Sequence, residues 1–240
     1  MRREHRPYTL VRAQNRVEDL FARRFLHPHF DSVGEGSRFT NPWHVKVFGH
    51  SISLGRHVHI TGMPDLPVRL SVWSARPGLG RLHIGDYSVI NAGARIASTC
   101  DIEIGANALF ATNVYIADGD SHGVYDRVYD GGKHAPVKLE ENVWLGERVI
   151  VCKGVTIGKN SVVGAGSVVV RDIPSHCVAV GNPARPIREL DPNATFVARQ
   201  RVLENNDHYL DGLRALEREM FRNNTARSWL RYLFAPRRGD

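Results

Sequence analysis

Residues 139–169 read, in groups of six, LEENVW, LGERVI, VCKGVT, IGKNSV, VGAGSV and V. The first position of every group is aliphatic, and the spacing of six holds without a break. An α-helix repeats its apolar face every 3.6 residues and a half-buried strand every two, so neither produces this period. The stretch therefore predicts a solenoid in which each hexad forms one side of a coil.

The same period runs through earlier parts of the chain. Apolar residues recur at six-residue intervals at Phe48, Leu54, Ile60, then Ile84, Ile90, Ile96, then Ile104, Phe110 and Ile116. We expect the first residue of each hexad to point inward, three hexads to make one coil, and successive coils to pair as parallel strands. A sandwich of many short strands is the alternative, but it would not hold a spacing of six over residues 139–169. Tight corners are expected at glycine and asparagine positions, namely Gly85, Gly105, Asn107, Gly158, Asn160 and Gly164.

The repeat resembles that of the left-handed β-helix proteins with hexapeptide repeats, from about residue 46 to residue 188. Its handedness is implied by this resemblance. The expected fold class is thus an all-β core, a left-handed parallel β-helix, with flanking N- and C-terminal α-helices. The expected division is an N-terminal helical segment (1–45), a β-helix domain (46–188) with a loop at 117–138, and a C-terminal helical extension (189–240).

The two flanks have a helical pattern. Apolar spacing predicts an amphipathic helix over residues 8–26. A second helical pattern covers residues 193–234, between Pro192 and Pro236, although Gly212 argues against one unbroken helix. We expect these helices to pack on the solenoid or on neighbouring subunits.

The charge is basic and uneven. The 240 residues carry 32 Lys and Arg against 25 Asp and Glu, which gives +7 and a pI near 9.6. Residues 1–24 and 218–240 each hold +4, which leaves −1 for the rest of the chain. Such a charge suits nucleic acids, anionic membranes or anionic small molecules. No helix-turn-helix, zinc-finger or basic-zipper pattern supports nucleic-acid binding.

Several features bear on location. No stretch approaches the roughly 20 apolar residues of a membrane span, and the N-terminus has no signal-peptide pattern. Cys100, Cys152 and Cys177 are widely spaced and predict neither a disulfide framework nor a zinc site. We expect a cytoplasmic protein. Residues 228–234 mix aromatic side chains with Arg, which predicts either packing against a neighbouring subunit or peripheral contact with the inner face of the membrane.

The repeat breaks between Ile116 and Leu139, and a loop on a rigid scaffold commonly carries function. The loop offers the His122 imidazole among carboxylates, which suits a general base with an orienting acid. In this respect the sequence resembles the hexapeptide-repeat acetyltransferases, such as the galactoside and maltose acetyltransferases. The resemblance implies that His122 is the catalytic base, and Asp118, Asp120 or Asp126 could orient it.

A second set of motifs carries the same resemblance. They are NVWLG at 142–146, KGVTIG at 153–158, VGAGSVV at 163–169, DIP at 172–174 and GNPAR at 181–185. In the family, this part of the solenoid faces a groove between two subunits that holds coenzyme A. The resemblance therefore assigns cofactor binding to Trp144, Ala165, Gly166, Arg171, Arg185 and Arg188. Val170 departs from the Thr that often precedes the basic residue.

The acceptor side is less defined. The resemblance assigns acceptor binding to Asn91, Asp120 and Arg127, although Asn91 also suits a plain corner. Residues 63–80 interrupt the repeat and are expected to form either a wider loop lining the acceptor pocket or a long corner. The combination of an N-terminal helical stretch and the motif HGVYDR at 122–127 resembles acetyltransferases associated with bacterial surface-polysaccharide modification, which implies a glycan hydroxyl as acceptor.

The expected reaction is direct transfer of an acetyl group from acetyl-CoA to a hydroxyl of a sugar or polysaccharide precursor. A homotrimer with active sites between subunits follows from the resemblance, and no metal is expected. Two alternatives belong to other classes: a non-catalytic β-helix scaffold, and a zinc hydratase like the γ-type carbonic anhydrases. The latter need three imidazoles at matched heights, whereas His57, His59, His83 and His134 occupy scattered hexad positions.

Overall fold

The centre of the molecule is a solenoid with three faces, which we call sheets A, B and C. The computed structural model describes residues 5–73, 80–128, 130–204 and 206–238. Sheet A holds β1 (Ser32–Val33), β4 (Ile52–Leu54), β7 (Leu82–Ile84), β10 (Ile102–Ile104), β13 (Val137–Leu139) and β16 (Thr156–Ile157). Sheet B holds β2 (Arg38–Thr40), β5 (His59–Thr61), β8 (Val89–Ile90), β11 (Leu109–Phe110), β14 (Trp144–Leu145), β17 (Val162–Val163), β19 (Cys177–Gly181) and β20 (Ala184–Glu189). Sheet C holds β3 (Val45–Phe48), β6 (Val68–Val72), β9 (Arg95–Ser98), β12 (Tyr115–Ala117), β15 (Ile150–Val151) and β18 (Val168–Val169).

Strands three apart in the chain are neighbours in the sheets. In sheet A, for example, Ile84 pairs with Ile104, and Ile104 pairs with Leu139, all in parallel. One strand from each sheet makes a coil, and six such coils stack through β18. The predicted parallel solenoid of hexads is confirmed.

The first residues of the hexads form three columns inside the solenoid. Ile84, Ile90 and Ile96 illustrate one coil, and each is fully buried. Phe48 is the exception: its side chain is 55% exposed and its ring lies 4.4 Å from the ring of Trp73. Val47 takes the inward place instead, since it pairs with Leu70. The short 3-10 helix Pro42–His44 just before β3 shifts the phase by one residue, so the prediction for Phe48 is wrong.

The corners depend on left-handed backbone three residues after the inward position. The φ angles of Asn107, Asn113, Asn142 and Asn160 are 59°, 61°, 58° and 57°. Asparagine tolerates this region better than most residues. Gly85, Gly105, Gly158 and Gly164, the four glycines expected at corners, do not have a positive φ. They are needed because atoms of the next coil lie too close for a Cβ. A Cβ on Gly105, for example, would lie 2.6 Å from the carbonyl carbon of Glu140 in the next coil.

The solenoid begins earlier than expected. β1 and β2 lie before residue 46 and already pair with β4 and β5. Part of the interruption at residues 63–80 is also regular, because β6 falls inside it and pairs with β3 and β9. Before β6, Met63 and Leu66 exchange backbone hydrogen bonds of 3.3 and 3.2 Å. Residues 74–79 lie outside the described residues.

Helices cover the first coil and one edge of the solenoid. α1 (Tyr8–Phe21) continues as a π-helix (Ala22–Leu26) and a 3-10 helix (His27–His29), and Ala22, Leu26 and Phe30 are buried against the first coil. After β20 the chain forms α2 (Arg199–Glu204), α3 (Asn206–Met220) and α4 (Ala226–Phe234). α4 returns to the N-terminus, where Tyr232 stacks on His5 at 4.3 Å.

Candidate active site

The loop that interrupts the repeat projects from the corner between sheet C of coil 4 and sheet A of coil 5. It leaves after Ala117, the last residue of β12, and returns at Val137, the first residue of β13. Its two ends run side by side: the Asp120 N–H donates to Lys133 O at 2.9 Å, and the Ala135 N–H donates to Asp118 O at 2.9 Å. The loop therefore projects as an arm whose two ends are hydrogen-bonded to each other.

Asp118 fixes the base of the arm to the solenoid. Its carboxylate is fully buried. One oxygen accepts hydrogen bonds from the Thr99 N–H (2.6 Å) and hydroxyl (2.8 Å), and the other accepts from the Ser98 hydroxyl (2.8 Å) and the Cys100 N–H (2.9 Å). Four donors compensate the burial of this charge. Both oxygens are thus occupied by donors from residues 98–100, so Asp118 anchors the arm to coil 3.

A second contact ties the arm to the following coil. Lys153 Nζ lies 2.7 Å from Asp120 Oδ1, and the two side chains are 32% and 39% exposed. The hydrogen bond from Lys153 is the main cause that lowers the pKa of Asp120 below its ordinary value of 3.8. Asp120 is thus ionised at neutral pH and held by an ammonium group from coil 5.

The outer part of the arm carries His122. The His122 side chain is exposed. The neighbouring Gly123 is buried, and the Gly123 N–H donates to Asp130 O at 2.9 Å. Val124, Tyr125 and Val128 are more than 70% exposed, with Tyr125 the most exposed of the three. Asp126 caps the turn by accepting from the Val128 N–H at 2.9 Å. The arm therefore presents an imidazole and apolar side chains to its surroundings.

The remaining residues expected to bind the acceptor lie in two places. Arg127 is exposed on the arm near His122 in sequence. Asn91 follows β8, at the corner between sheets B and C of coil 3, where its amide nitrogen donates to Phe110 O at 2.9 Å. That bond accounts for a structural role of Asn91, and the chain does not bring it to the corner that bears His122.

The residues expected to bind the cofactor occupy coils 5 and 6 and the end of the solenoid. Trp144 faces outward from sheet B and is 50% exposed. Ala165 and Gly166 are exposed at the corner between sheets B and C, and Gly166 has φ of 71° with open space where a Cβ would stand. The expected phosphate-binding residues are all exposed: Arg171 after β18, and Arg185 and Arg188 on β20.

Two corners of the solenoid thus carry the expected machinery. His122 stands at the corner between sheets C and A, whereas Ala165 and Gly166 stand at the corner between sheets B and C. Sheet C separates these corners within one chain. A reaction that needs both sets of residues at one place requires a second copy.

Sequence reasoning missed the supports of the arm. Lys153 was not singled out, and neither was Thr99, whose hydroxyl donates to Asp118 and accepts from His134 Nδ1 at 2.9 Å. A signal existed for Lys153. It lies two residues after the inward Val151, the same hexad position that Asp118 has after Ile116. This register places Lys153 in the coil next to the start of the arm, two residues from its partner Asp120.

Two further findings concern metal binding and membrane insertion. Within the described ranges, no group of three or more His, Cys, Asp or Glu side chains is arranged to hold a metal ion. Among the helices that the structure describes, none combines the length and the apolar character needed to cross a bilayer.

The stacked hexads and the projecting arm define the class of protein: a parallel β-helix built from hexapeptide repeats. The family model for bacterial transferase hexapeptide (six repeats) matches residues 136–171, which include Trp144, Ala165, Gly166 and Arg171. This part of the chain thus matches the hexapeptide-repeat transferases.

Sequence relatives and solved structures agree with this class. Galactoside O-acetyltransferase from Escherichia coli (strain K12) is 40% identical over 112 residues, which is 46% of this chain and 55% of the relative. The enzyme of the same name from Lactococcus lactis is 41% identical over 112 residues, 46% of this chain and 54% of the relative. The chain therefore spans about half the length of these curated relatives.

An N-acyltransferase from Bacillus cereus has the same kind of fold. Its structure, solved with dTDP-4-amino-4,6-dideoxyglucose and coenzyme A, superimposes with a TM-score of 0.56 at 21% identity. The match covers 77% of this chain and 93% of the other. At this identity the likeness concerns the fold.

Proposed function

We propose that the protein is a CoA-dependent O-acetyltransferase, with a left-handed β-helix, that moves an acetyl group from acetyl-CoA to a hydroxyl of a sugar or polysaccharide precursor. The observation that carries the proposal is the anchored arm with the exposed His122, in a chain related over 112 residues to galactoside O-acetyltransferases. Neither a scaffold nor a binding module needs an imidazole held out on a fixed arm.

His122 is the general base in this proposal. A ring nitrogen takes the proton of the acceptor hydroxyl as its oxygen attacks the thioester carbonyl, and a tetrahedral intermediate forms. When that intermediate collapses, the carbon–sulfur bond breaks, and the imidazolium returns the proton to the departing thiolate. An imidazole changes its charge near neutral pH, which suits both halves of the cycle.

The arm contributes by positioning. Asp118 and the pair of Asp120 with Lys153 fix where the arm leaves the solenoid, so the reacting groups meet with little loss of freedom. Of the three aspartates that could orient His122, Asp118 and Asp120 are engaged with the solenoid. Asp126 lies with His122 on the outer arm and is the aspartate that we propose to orient the imidazole.

The donor site is proposed on the part of the chain that matches the family model. Gly166, with open space beside it, lets the pantetheine arm approach the backbone closely, and Trp144 offers an exposed indole near the acyl end. Arg171, Arg185 and Arg188 hold the phosphates of coenzyme A, because guanidinium groups form charge-assisted bonds with phosphate oxygens. Arg127 on the arm holds the acceptor, and Asn91 at the corner between sheets B and C of the other copy contributes to the same site.

We further propose a homotrimer in which each site lies between two subunits. The arm of one copy reaches the corner between sheets B and C of the next, and Val124, Tyr125 and Val128 become covered there. The cytoplasm is the proposed location. The exposed Leu230, Leu233 and Phe234 of α4 serve either subunit packing or peripheral contact with the inner face of the membrane.

The decisive experiment compares two histidine variants. His122→Ala should reduce kcat for acetyl transfer at least a thousandfold while the Kd for coenzyme A stays within about threefold, because only the base is lost. His29→Ala, which removes an exposed imidazole at the N-terminal end, is the matched control and should keep wild-type turnover. Near-normal turnover of His122→Ala would contradict the assignment of His122 as the general base.

The same measurements address the scaffold alternative. A wild-type chain whose melting temperature does not rise with coenzyme A, and which transfers no acetyl group to a panel of sugars and sugar nucleotides, would be a scaffold.

A further inference from the structure

A cavity of about 770 Å³ lies beside the first two coils. Its floor is the corner between sheets A and B, formed by residues 33–39 of coil 1 and residues 57–59 of coil 2. The π-helix that follows α1 closes one side through Ala22 and Arg23, and α2 closes the other through Arg199 and Leu203. This volume is typical of sites for small molecules, which occupy about 300–1,000 Å³.

The cavity is separate from the candidate active site. The arm with His122 leaves coil 4 at the corner between sheets C and A, whereas the cavity lies at the A–B corner of coils 1 and 2. Parallel strands are about 4.8 Å apart, so two to three coils place the two levels about 10–14 Å apart along the solenoid. No residue that lines the cavity belongs to the expected catalytic or cofactor set.

Basic side chains dominate the polar lining. Two carboxylates, Asp19 and Glu35, are present. The basic members of the lining are Arg23, His27, Arg38, His57, His59 and Arg199. With the imidazoles neutral, three guanidinium groups face two carboxylates, and three imidazoles add hydrogen-bond donors that favour anions.

Guanidinium groups lie close to two of the imidazoles in the cavity. Burial, together with the charges of Arg199 and Arg38, lowers the pKa of His59 to about 4. Burial and the neighbouring Arg23 likewise lower the pKa of His27. Burial is the main cause of both shifts, and the nearby guanidinium groups add to it because they disfavour a cationic imidazole. Guanidinium groups at these positions suit an anionic ligand.

We propose that this cavity binds a phosphorylated small molecule of nucleotide size, with Arg23 and Arg38 holding its phosphate groups. Guanidinium forks match the geometry of phosphate oxygens and form two hydrogen bonds at once. His59, whose Nε2 lies 3.0 Å from Thr40 Oγ1, is fixed by that contact at the cavity wall and supplies the polar surface next to Arg38. Such a site is additional to acetyl transfer and does not depend on it.

The test is calorimetric titration of the full chain with UDP and with inorganic pyrophosphate, with uridine as the uncharged control. We expect UDP and pyrophosphate to bind and uridine to bind at least tenfold more weakly. The double variant Arg23→Met/Arg38→Met should raise the Kd for pyrophosphate at least tenfold. Arg16→Met removes an exposed arginine of the adjoining α1 that does not line the cavity, and it should leave the Kd unchanged.

A second double variant identifies where the anion binds. Arg185→Met/Arg188→Met removes the charges proposed to hold coenzyme A and should leave pyrophosphate binding unchanged. The inference is overturned if this variant abolishes binding while the cavity variant retains it, or if neither UDP nor pyrophosphate binds at all. These outcomes are independent of the turnover of His122→Ala, so failure of one proposal does not imply failure of the other.

Discussion

Two acidic residues at the base of the arm, two positions apart, have different environments. Asp118 is fully buried and accepts four hydrogen bonds from residues 98–100, whereas Asp120 is partly exposed and meets one ammonium group. The first fixes the backbone of the arm to coil 3, and the second joins it to coil 5. Together they explain how a loop on the outside of a solenoid can hold an imidazole in a defined place.

The pair of Asp120 and Lys153 can be measured by a double-mutant cycle with Asp120→Asn and Lys153→Met. Because both side chains are partly exposed, we expect a coupling of about 0.5 kcal/mol in the free energy of unfolding at pH 7. The pKa of Asp120 is lowered in the folded chain, so the coupling is present above pH 4 and is lost as the pH falls through the lowered value. Urea unfolding at pH 7 and at pH 3 tests this, and equal coupling at both would contradict it.

Sequence alone could single out His122, because a break in a strict repeat draws attention to the residues inside it. It could not distinguish the roles of the aspartates around His122. Those roles depend on which atoms of coils 3 and 5 the arm meets on either side, and an interruption of the period removes the rule that predicts such neighbours. Only Lys153, outside the break, keeps a hexad position from which its place could be deduced.

At the level of single strands, the period predicts burial wherever the corners keep their length. Ile104 and Phe110 lie inside as expected, because each corner between them and their neighbours has the same geometry. The predicted burial of Phe48 is wrong because a 3-10 helix precedes its strand and shifts the six-residue period by one residue. The start of the solenoid before residue 46 was missed for a related reason. The inward residues Val33 and Phe39 are six apart, but the next inward residue, Val47, follows Phe39 by eight, so no longer run of hexads joins β1 and β2 to the later coils.

The strand β10 offers a direct test of the inward column. Ile104→Ala should lower the free energy of unfolding by about 2–5 kcal/mol, because it leaves a cavity between Ile84 and Leu139. Glu103→Ala changes the adjacent residue on the outer face of the same strand and should cost less than about 1 kcal/mol. Denaturant titration of both variants measures the difference. Similar costs for the two would show that the column is not closely packed.

For the whole molecule, the main consequence concerns assembly. His122 and Gly166 lie on opposite sides of sheet C, so the proposed site is complete only between two copies. The apolar side chains at the tip of the arm, which are exposed in one chain, also fit a surface that is covered on assembly. The excess of positive charge lies at the two ends of the chain and leaves the solenoid near neutrality.

Shared sites predict complementation. His122→Ala and Ala165→Trp should each be inactive, the first for lack of the base and the second because the new indole blocks the groove. If the two variants are unfolded together and refolded at equal amounts, random trimers should regain about a quarter of wild-type activity, because one site in four receives both intact parts. Separate refolding of each variant is the control. A mixture that stays as inactive as its components would contradict a shared site.

The hairpin of β19 and β20 has a consequence for solubility. A stack of parallel strands offers unpaired backbone groups at its end, and another chain could add to that edge without limit. Here β20 turns back antiparallel on β19 and becomes the outer strand of sheet B. Pro186 lacks an N–H, and Arg185, Arg188 and Glu189 place charges along the same strand. The hairpin therefore discourages end-to-end growth into fibres and keeps the stack finite.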